Sequence, residues 1–379
     1  MPRVLAVADA DSYLKWCAAT LDALPADWVG DLWVLDSPIA PSPTQQRAAT
    51  HREPAAGSLL RLLRRLRADP PDVLLLGCTG PVVQAVLSVP PGLLGWAPRT
   101  RPVLVSGLPG ISVPASERAV RLRDGVDLLL VHSHREQRDF AALAAATGSG
   151  MQIGLARLPF LHDDPAPGGP DVVFAAQAKV PADADDRRRI LQALADVPRP
   201  YRAVVKLRGA GGERQTHDEA HPYPALWADL AARQEVPGST VRFAVGPMRD
   251  ALEDAAGFVT VSSTAALEAI GRNVPVLVLD DFGVSGDLIN EVFAGSGCLG
   301  NLDDLAAARF RRPEPTWAAE NYFHPPAESD WVVRLDSLLA ARAGAGLPVP
   351  RHRPFGRAPR RARWAVRLLV PRRRVRSGR

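Results

Sequence analysis

Three hydroxyls in a row, Ser262, Ser263 and Thr264, stand between a short apolar run at 258–261 and a helix-forming stretch at 265–270 that stops at Gly271. The run reads as a buried parallel strand and the hydroxyls as its turn into a helix. Such a turn offers unpaired backbone N–H groups and the positive end of a helix dipole, which suits an anion or a phosphate. Glu268 lies one turn beyond Thr264 on the same helix face. Ordinary N-capping is the plain alternative, but a capping box would place its Glu three residues after the cap. Glu268 is four residues from Thr264 and five from Ser263. That spacing suits a carboxylate accepting hydrogen bonds from a ribose.

A second set lies upstream. Lys206 and Arg208 leave an apolar strand at 203–205 for a loop carrying Gly209, Gly211 and Gly212. Cations at the carboxyl end of a buried strand suit phosphate recognition. Glu213, Thr216, His217, Asp218, Glu219 and His221 crowd the same loop. His217 and His221 with Asp218 or Glu219 are chemically able to ligate a metal. No helix fixes their spacing, however, and Pro222 favours an extended approach, so no metal is expected. A surface histidine paired with a neighbouring acid is the plain reading of His221.

The elements that must position these groups alternate along the chain. In the first half, strands are expected at 3–8, 28–35, 72–76, 102–106 and 126–131. Helices are expected at 11–24, 58–68, 82–88 and 135–146. In the second half, strands at 171–176, 201–207, 240–245, 258–261 and 274–279 alternate with helices at 185–194, 224–233, 248–255 and 265–270. Continuously apolar strands between amphipathic helices indicate parallel sheets covered on both faces, with ligands at the loops after the strands. The Pro- and Gly-rich stretch at 162–170 reads as a linker. The expected plan is a domain at 1–162, a second at 171–345 and a basic tail at 346–379. The Pro-rich segment 36–57 reads as a long loop, and the helix beginning near 329 as packing back across the domain junction. Gly77 and Gly80 after the third strand, and Gly107 and Gly110 after the fourth, would let a backbone approach a ligand or take positive φ. No GxGxxG or GxxxxGK[ST] pattern occurs, which argues against dinucleotide and P-loop chemistry.

The pattern SST-AALEA-IGRNVPV resembles the nucleotide-binding segment in the C-terminal domain of GT-B glycosyltransferases. With His221-Pro222 upstream, the order "HP then SS" resembles bacterial capsule-type transferases that use CMP-activated sialic acid or Kdo. The whole chain also resembles an actinobacterial family of proposed glycosyltransferases. The resemblance implies an α/β protein of two Rossmann-like, doubly wound parallel-sheet domains facing a cleft. It implies donor binding by Lys206, Arg208, His221, Ser262, Ser263, Thr264 and Glu268, with the hydroxyls on phosphate and Glu268 on ribose. The nucleotide-sugar is then a co-substrate, and neither a cofactor nor a metal is expected.

Sugar transfer also needs a general base to take the acceptor's proton. The first domain supplies Asp11 after the first strand and His134 after the last as catalytic candidates, with Asp9 and His132 behind them. The expected reaction is metal-independent and inverting. It moves a sugar from a CMP-sugar, or secondarily a UDP-sugar, to an envelope or capsule glycan or a lipid-linked acceptor. The alternatives are a sugar-nucleotide epimerase, a polyol-phosphate transferase, and a non-catalytic binding protein on the same scaffold.

Charge is unevenly distributed. The formal net charge is +5, yet residues 351–379 hold 12 Arg and no acid, which leaves −7 on the rest. The arginines flank Trp364, Val366, Leu368 and Leu369, a pattern suited to an anionic membrane surface. Nucleic acid is a competing partner for such a tail, but no recognised nucleic-acid fold accompanies it. Arg61, Arg64, Arg65 and Arg67 could meet an anionic acceptor or lipid, although such a run is more often a solvated helix face. Cys17, Cys78 and Cys298 are scattered and odd in number, so neither a disulfide framework nor a zinc site is expected. No signal peptide or membrane span is visible. The expected location is cytoplasmic, peripheral at the inner face of the plasma membrane.

Overall fold

The computed structural model describes residues 1–159, 161, 164–207, 219–237 and 240–350. The chain divides into two compact units, 1–159 together with 325 onward, and 160–324. The first unit runs β1 (Arg3–Ala8), α1 (Asp11–Asp22), β2 (Val29–Leu35), α2 (Pro43–Ala49), β3 (Ala55–Gly57), α3 (Leu59–Ala68) and β4 (Val73–Gly77). It continues with α4 (Gly80–Leu87), α5 (Pro91–Leu94), β5 (Val103–Gly107), α6 (Glu117–Arg123), β6 (Leu128–Val131), α7 (His134–Ala146) and β7 (Gln152–Leu155). The second unit runs β8 (Asp171–Ala175), α8 (Ala184–Ala195), β9 (Arg202–Lys206), α9 (Tyr223–Ala232), β10 (Val241–Ala244) and α10 (Met248–Glu253). Then come β11 (Ala255–Thr260), α11 (Ala265–Gly271), β12 (Val276–Leu279), β13 (Leu299–Gly300), α12 (Leu302–Ala306) and α13 (Pro315–Glu320). Helix α14 (Trp331–Ala343) returns to the first unit.

Every ladder in both sheets is parallel. The first sheet is ordered β3-β2-β1-β4-β5-β6-β7 and the second β10-β9-β8-β11-β12-β13. Counted within its unit, each contains the order 3-2-1-4-5-6. This is the doubly wound α/β arrangement, whose switch points lie between β1 and β4 and between β8 and β11. The two-domain α/β architecture expected from strand–helix alternation is therefore present.

Apolar strands make this outcome necessary. β4, with all five residues buried, has no polar face to show to water and must be covered on both sides. Leu62 and Leu66 of α3 pack on one face with Leu74, Leu76 and Trp33, while Trp16, Leu14 and Leu21 of α1 cover the other with Val73 and Leu75. Each fully buried leucine contributes about 1.5–3 kcal/mol, so the inward face of α3 outweighs its surface ion pair Arg65–Asp31, a class worth about 0–1 kcal/mol.

Three sequence expectations need revision. The segment 36–57 is not one loop. Ser42 and Gln45 form a reciprocal capping box with Pro43 in the first turn, which starts α2, and Ala55–Gly57 pairs with Trp33, Val34 and Leu35 as an edge strand. Domain assignment by chain order also fails at the end. Trp331, Leu335 and Leu338 of α14 lie in the same core cluster as Val4, Val73 and Val105, so residues from 325 belong to the first unit rather than to a second domain extending to 345. Finally, the glycines after β4 and β5 serve packing. A Cβ at Gly77 would overlap Cys17 Sγ, one at Gly107 the Trp16 ring, and one at Gly80 the Leu122 side chain. The tail 351–379 lies outside the described residues.

Candidate nucleotide site in the second unit

Four strands of the second sheet, β9, β8, β11 and β12, deliver polar loops at their carboxyl ends. The turn after β11 holds the three hydroxyls. Ser262 is buried, and its N–H and Oγ both donate to Gln177 Oε1 at 3.1 Å. Gln177 follows β8, so this contact bridges the switch point. Ser263 and Thr264 are half-buried. Ser263 N donates to Thr260 Oγ1 at 3.1 Å, while Ser263 Oγ accepts from Ala265 N at 3.2 Å and keeps its own O–H available. Thr264 sits at the N-cap in helical conformation and makes no side-chain cap bond.

The expected ring of unpaired amides is smaller than the sequence suggested. Ala266 N and Leu267 N donate to the carbonyls of Ser263 and Thr264, a tight i→i−3 opening, and Ala265 N is taken by Ser263. With α11 only seven residues long, an anion here would have to rely on hydroxyl donors and a cation from another strand end more than on the helix end.

That cation is Lys206. It ends β9, is 5% exposed, and its Nζ donates to Leu207 O at 2.8 Å. Burial pushes its ammonium below the ordinary lysine value, and the charges of Glu268 and Asp250 pull the other way. Glu268, half-buried one turn into α11, thus shares an electrostatic neighbourhood with Lys206. Arg208, Gly209, Gly211, Gly212, Glu213, Thr216, His217 and Asp218 lie outside the described residues. His221 has an exposed side chain just before α9, and its carbonyl accepts from Arg187 Nη1 at 2.6 Å.

Arg187 and Gln177 escaped the sequence reading. Arg187 is 1% exposed. Its guanidinium donates to the carbonyls of Gln177, Ala178, Pro181 and His221 and to Glu219 Oε1, and it stacks over the Tyr223 ring. One planar fork thereby fixes the loops after β8 and before α9. The available signal was an arginine inside the apolar stripe Arg187, Ile190, Leu191, Leu194 of α8. The loop after β12 is pinned by Asn290, which accepts from Ser285 N and donates to Gly283 O. Its neighbour Ile289 has φ of 59°, costly for a β-branched residue.

In the first unit, Asp11 opens α1 and pairs with Lys15 at 2.8 Å, while its Oδ1 is buried without a hydrogen-bond partner. His134 opens α7, and its Nε2 lies 2.7 Å from Glu328 Oε2, a partner in the segment that returns from the second unit. Asp11 follows β1 and His134 follows β6, three strand positions away in the same sheet. The reserve candidates are committed to structure. His132 is fully buried, with Nε2 accepting from Trp16 Nε1 at 2.9 Å and Nδ1 at 2.8 Å from Ala156 O, so no lone pair remains for a proton.

Asp9 is fully buried, and Thr79 donates to it twice, from N at 3.0 Å and Oγ1 at 2.5 Å, across the β1–β4 switch point. Burial raises its carboxyl above the ordinary value against the pull of those bonds and of Arg123. A raised folded-state carboxyl binds more protons than the unfolded chain, so its contribution falls as pH rises from near 3.8 through the raised value. Asp9→Asn removes the charge and keeps an oxygen for Thr79 N, with the Thr79 hydroxyl turning to accept from the new amide. The melting temperature of Asp9→Asn should gain on the parent's as pH rises through that window, while Asp9→Ala should cost about 1–3 kcal/mol below the window and less above it. Parallel melting curves for Asp9→Asn and parent across pH would show that no such buried charge exists.

Among the described residues no group of three or more His, Cys, Asp or Glu side chains converges as a metal site, and no helix is long and apolar enough to cross a membrane. The family model described as "Putative glycosyltransferase (DUF6716)" matches residues 4–338. No curated protein matches the chain. Among solved structures, the chain is similar to the S. aureus MnaA–UDP co-structure, with 13% identity, a TM-score of 0.57, and coverage of 92% of this chain and 99% of that one. It is also similar to a putative UDP-N-acetylglucosamine 2-epimerase from Listeria monocytogenes, with 12% identity, a TM-score of 0.50, and coverage of 92% and 98%. At these identities the likeness is one of fold.

Proposed function

Because the chain belongs to the DUF6716 family, described as glycosyltransferases, we propose that it moves a sugar from a nucleotide donor to a glycan or lipid-linked acceptor. The observation that carries this reading is a buried ammonium, Lys206, at the end of β9 that feels the charge of half-buried Glu268, whose helix opens on the half-buried hydroxyls Ser263 and Thr264 after β11. The donor phosphate would lie over the end of β8, taking hydrogen bonds from Lys206 Nζ and the free hydroxyls, and Glu268 would accept from ribose. His221 and Arg208 are assigned to the same phosphate. As the acceptor oxygen attacks the anomeric carbon with inversion, the bond to the phosphate oxygen breaks. The charge left there is stabilised by Lys206 and the hydroxyls without a metal.

The acceptor's proton goes to a base assigned to the first unit, Asp11 or His134. His134 has the better support, because Glu328 orients its ring and would stabilise the imidazolium that forms. The basic tail 351–379 is assigned to an anionic membrane surface, which agrees with an envelope or capsule acceptor. CMP-sugars are the favoured donors by the HP-then-SS pattern. UDP-sugars come next, and the UDP in the MnaA structure keeps them in the test.

A thermal-shift series with CMP, UDP, GDP and ADP tests the pocket. CMP should give the largest rise, UDP the next, and Glu268→Ala and Ser263→Ala should lose most of either response. Undiminished shifts in both variants would remove the site. The epimerase fold neighbour favours a second reading, sugar-nucleotide epimerisation. Nucleotide release that requires an acceptor supports transfer, whereas conversion of the donor with no acceptor present supports epimerisation.

A further inference from the structure

Helix α3 carries four arginines, and the structure separates them into two kinds. Arg65 lies toward the protein and pairs with Asp31 at 2.7 Å. Arg61, Arg64 and Arg67 are exposed, and no acidic side chain of the described residues lies within salt-bridge distance of them. The inward stripe is Leu59, Leu62 and Leu66, so Leu60, Arg64 and Arg67, at i, i+4 and i+7, share the outward face with Arg61 beside Arg64. Two large apolar side chains lie in this basic field. Leu60 is 43% exposed, and Leu93 at the tip of α5 is 61% exposed. Arg67 Nη1 donates to Leu93 O at 3.4 Å, which places Leu93 beside the arginine row. Arg3, held at the end of α3, is neutralised by Asp69 and does not extend the row.

The path of the last described residues adds a second observation. Leu347 N donates to Pro98 O, and the fully buried Arg101 grips Pro348 O while paired with Asp127. Pro350 lies against Gly125. Pro98, Arg101, Gly125 and Asp127 all precede β5 or β6, so the chain enters its twelve-arginine segment at the end of the first sheet where strands begin. Arg67 and Leu93 approach that same end, just ahead of β4 and β5.

We infer that the outward face of α3 and the tip of α5 form a docking surface for an anionic bilayer, with Leu60 and Leu93 entering the interface and Arg61, Arg64 and Arg67 meeting lipid phosphates. Exposed leucines among arginines that no acid pairs, Asp31 and Asp69 being taken by Arg65 and Arg3, match the chemistry of an anionic interface, where apolar insertion and charge attraction act together. The folded surface and the tail would then hold the first unit against the membrane at two places. This goes beyond the transfer reading and does not depend on it, since nucleotide binding belongs to the second unit.

The test is sedimentation of the full chain with vesicles of phosphatidylcholine alone and of phosphatidylcholine mixed with phosphatidylglycerol. The parent should bind only the anionic vesicles. Arg61→Gln/Arg64→Gln/Arg67→Gln should bind them about a hundredfold more weakly at low salt, at roughly fivefold per charge. Leu93→Ser should remove the part of binding that survives high salt. Unchanged nucleotide thermal shifts in these variants would show that the fold and the donor site are intact. The proposal falls if the triple variant binds like the parent while Arg372→Gln/Arg373→Gln/Arg374→Gln loses binding, because the tail then acts alone. It falls equally if the parent ignores anionic vesicles, or if the triple variant loses affinity only for duplex DNA.

Discussion

Lys206→Met is expected to weaken nucleotide binding by about 30- to 150-fold, the value of a charge-assisted hydrogen bond worth about 2–3 kcal/mol, while making the nucleotide-free protein more stable. The two effects have one cause. The Lys206 ammonium is 5% exposed, and its hydrogen bond is to the neighbouring Leu207 carbonyl. Burial therefore holds its pKa below the ordinary 10.5, with Glu268 and Asp250 only partly opposing. A lysine whose folded-state pKa is depressed binds fewer protons folded than unfolded, so its charge costs stability at neutral pH. That cost fades as pH rises through the depressed value toward 10.5. The stability gain of Lys206→Met should accordingly be largest at neutral pH and shrink in alkaline buffer. A cation kept at a cost to the fold is expected of a binding group rather than a structural one. Titration calorimetry and melting curves measure both halves. A variant that binds nucleotide like the parent would end the donor-site assignment.

Arg187→Ala should give the largest loss of stability of any single change in the second unit, about 3–5 kcal/mol for removing one partner of a buried, fully bonded charge, or roughly a 10 °C lower transition. The guanidinium serves four carbonyls and Glu219 at once, and its removal takes a donor from each, the Pro181 and Ala178 carbonyls being buried with it. Because those carbonyls include Gln177 and His221, nucleotide affinity should fall with stability even though Arg187 is not itself assigned to the ligand. Arg187→Lys should recover only part of either, since one ammonium cannot span the set. A calorimetric transition unchanged in Arg187→Ala would contradict the role given to this residue.

How the site reads from sequence depends on the range of the interactions involved. The strand before Ser262 and the helix after it are visible because their signals are local, an apolar run followed by hydroxyls and a helix-forming stretch. The consequences of that turn are not local. Gln177 takes both donors of Ser262 from 85 residues away, and Thr79 occupies Asp9 from 70 residues away. Asp9 therefore looked like a possible base in sequence and is a bonded structural acid in the fold. His132 changed in the same way once Trp16, 116 residues earlier, was seen to donate to it. Arg187 was hidden by the opposite error, since a charge in an apolar stripe passes for an irregularity until its acceptors are located.

The sequence by itself determined the alternation of apolar strands and amphipathic helices, and with it the two parallel sheets. A strand with no polar face can be covered in few ways, and the period of the pattern declares which element covers it. It also determined that hydroxyls, a lysine and a glutamate would stand at strand ends in the second half. Only the tertiary structure decided which strand ends adjoin, that Lys206 is buried near the charge of Glu268, and that α14 belongs to the first unit. Those outcomes depend on strand order and side-chain packing between distant segments, and no local pattern encodes either.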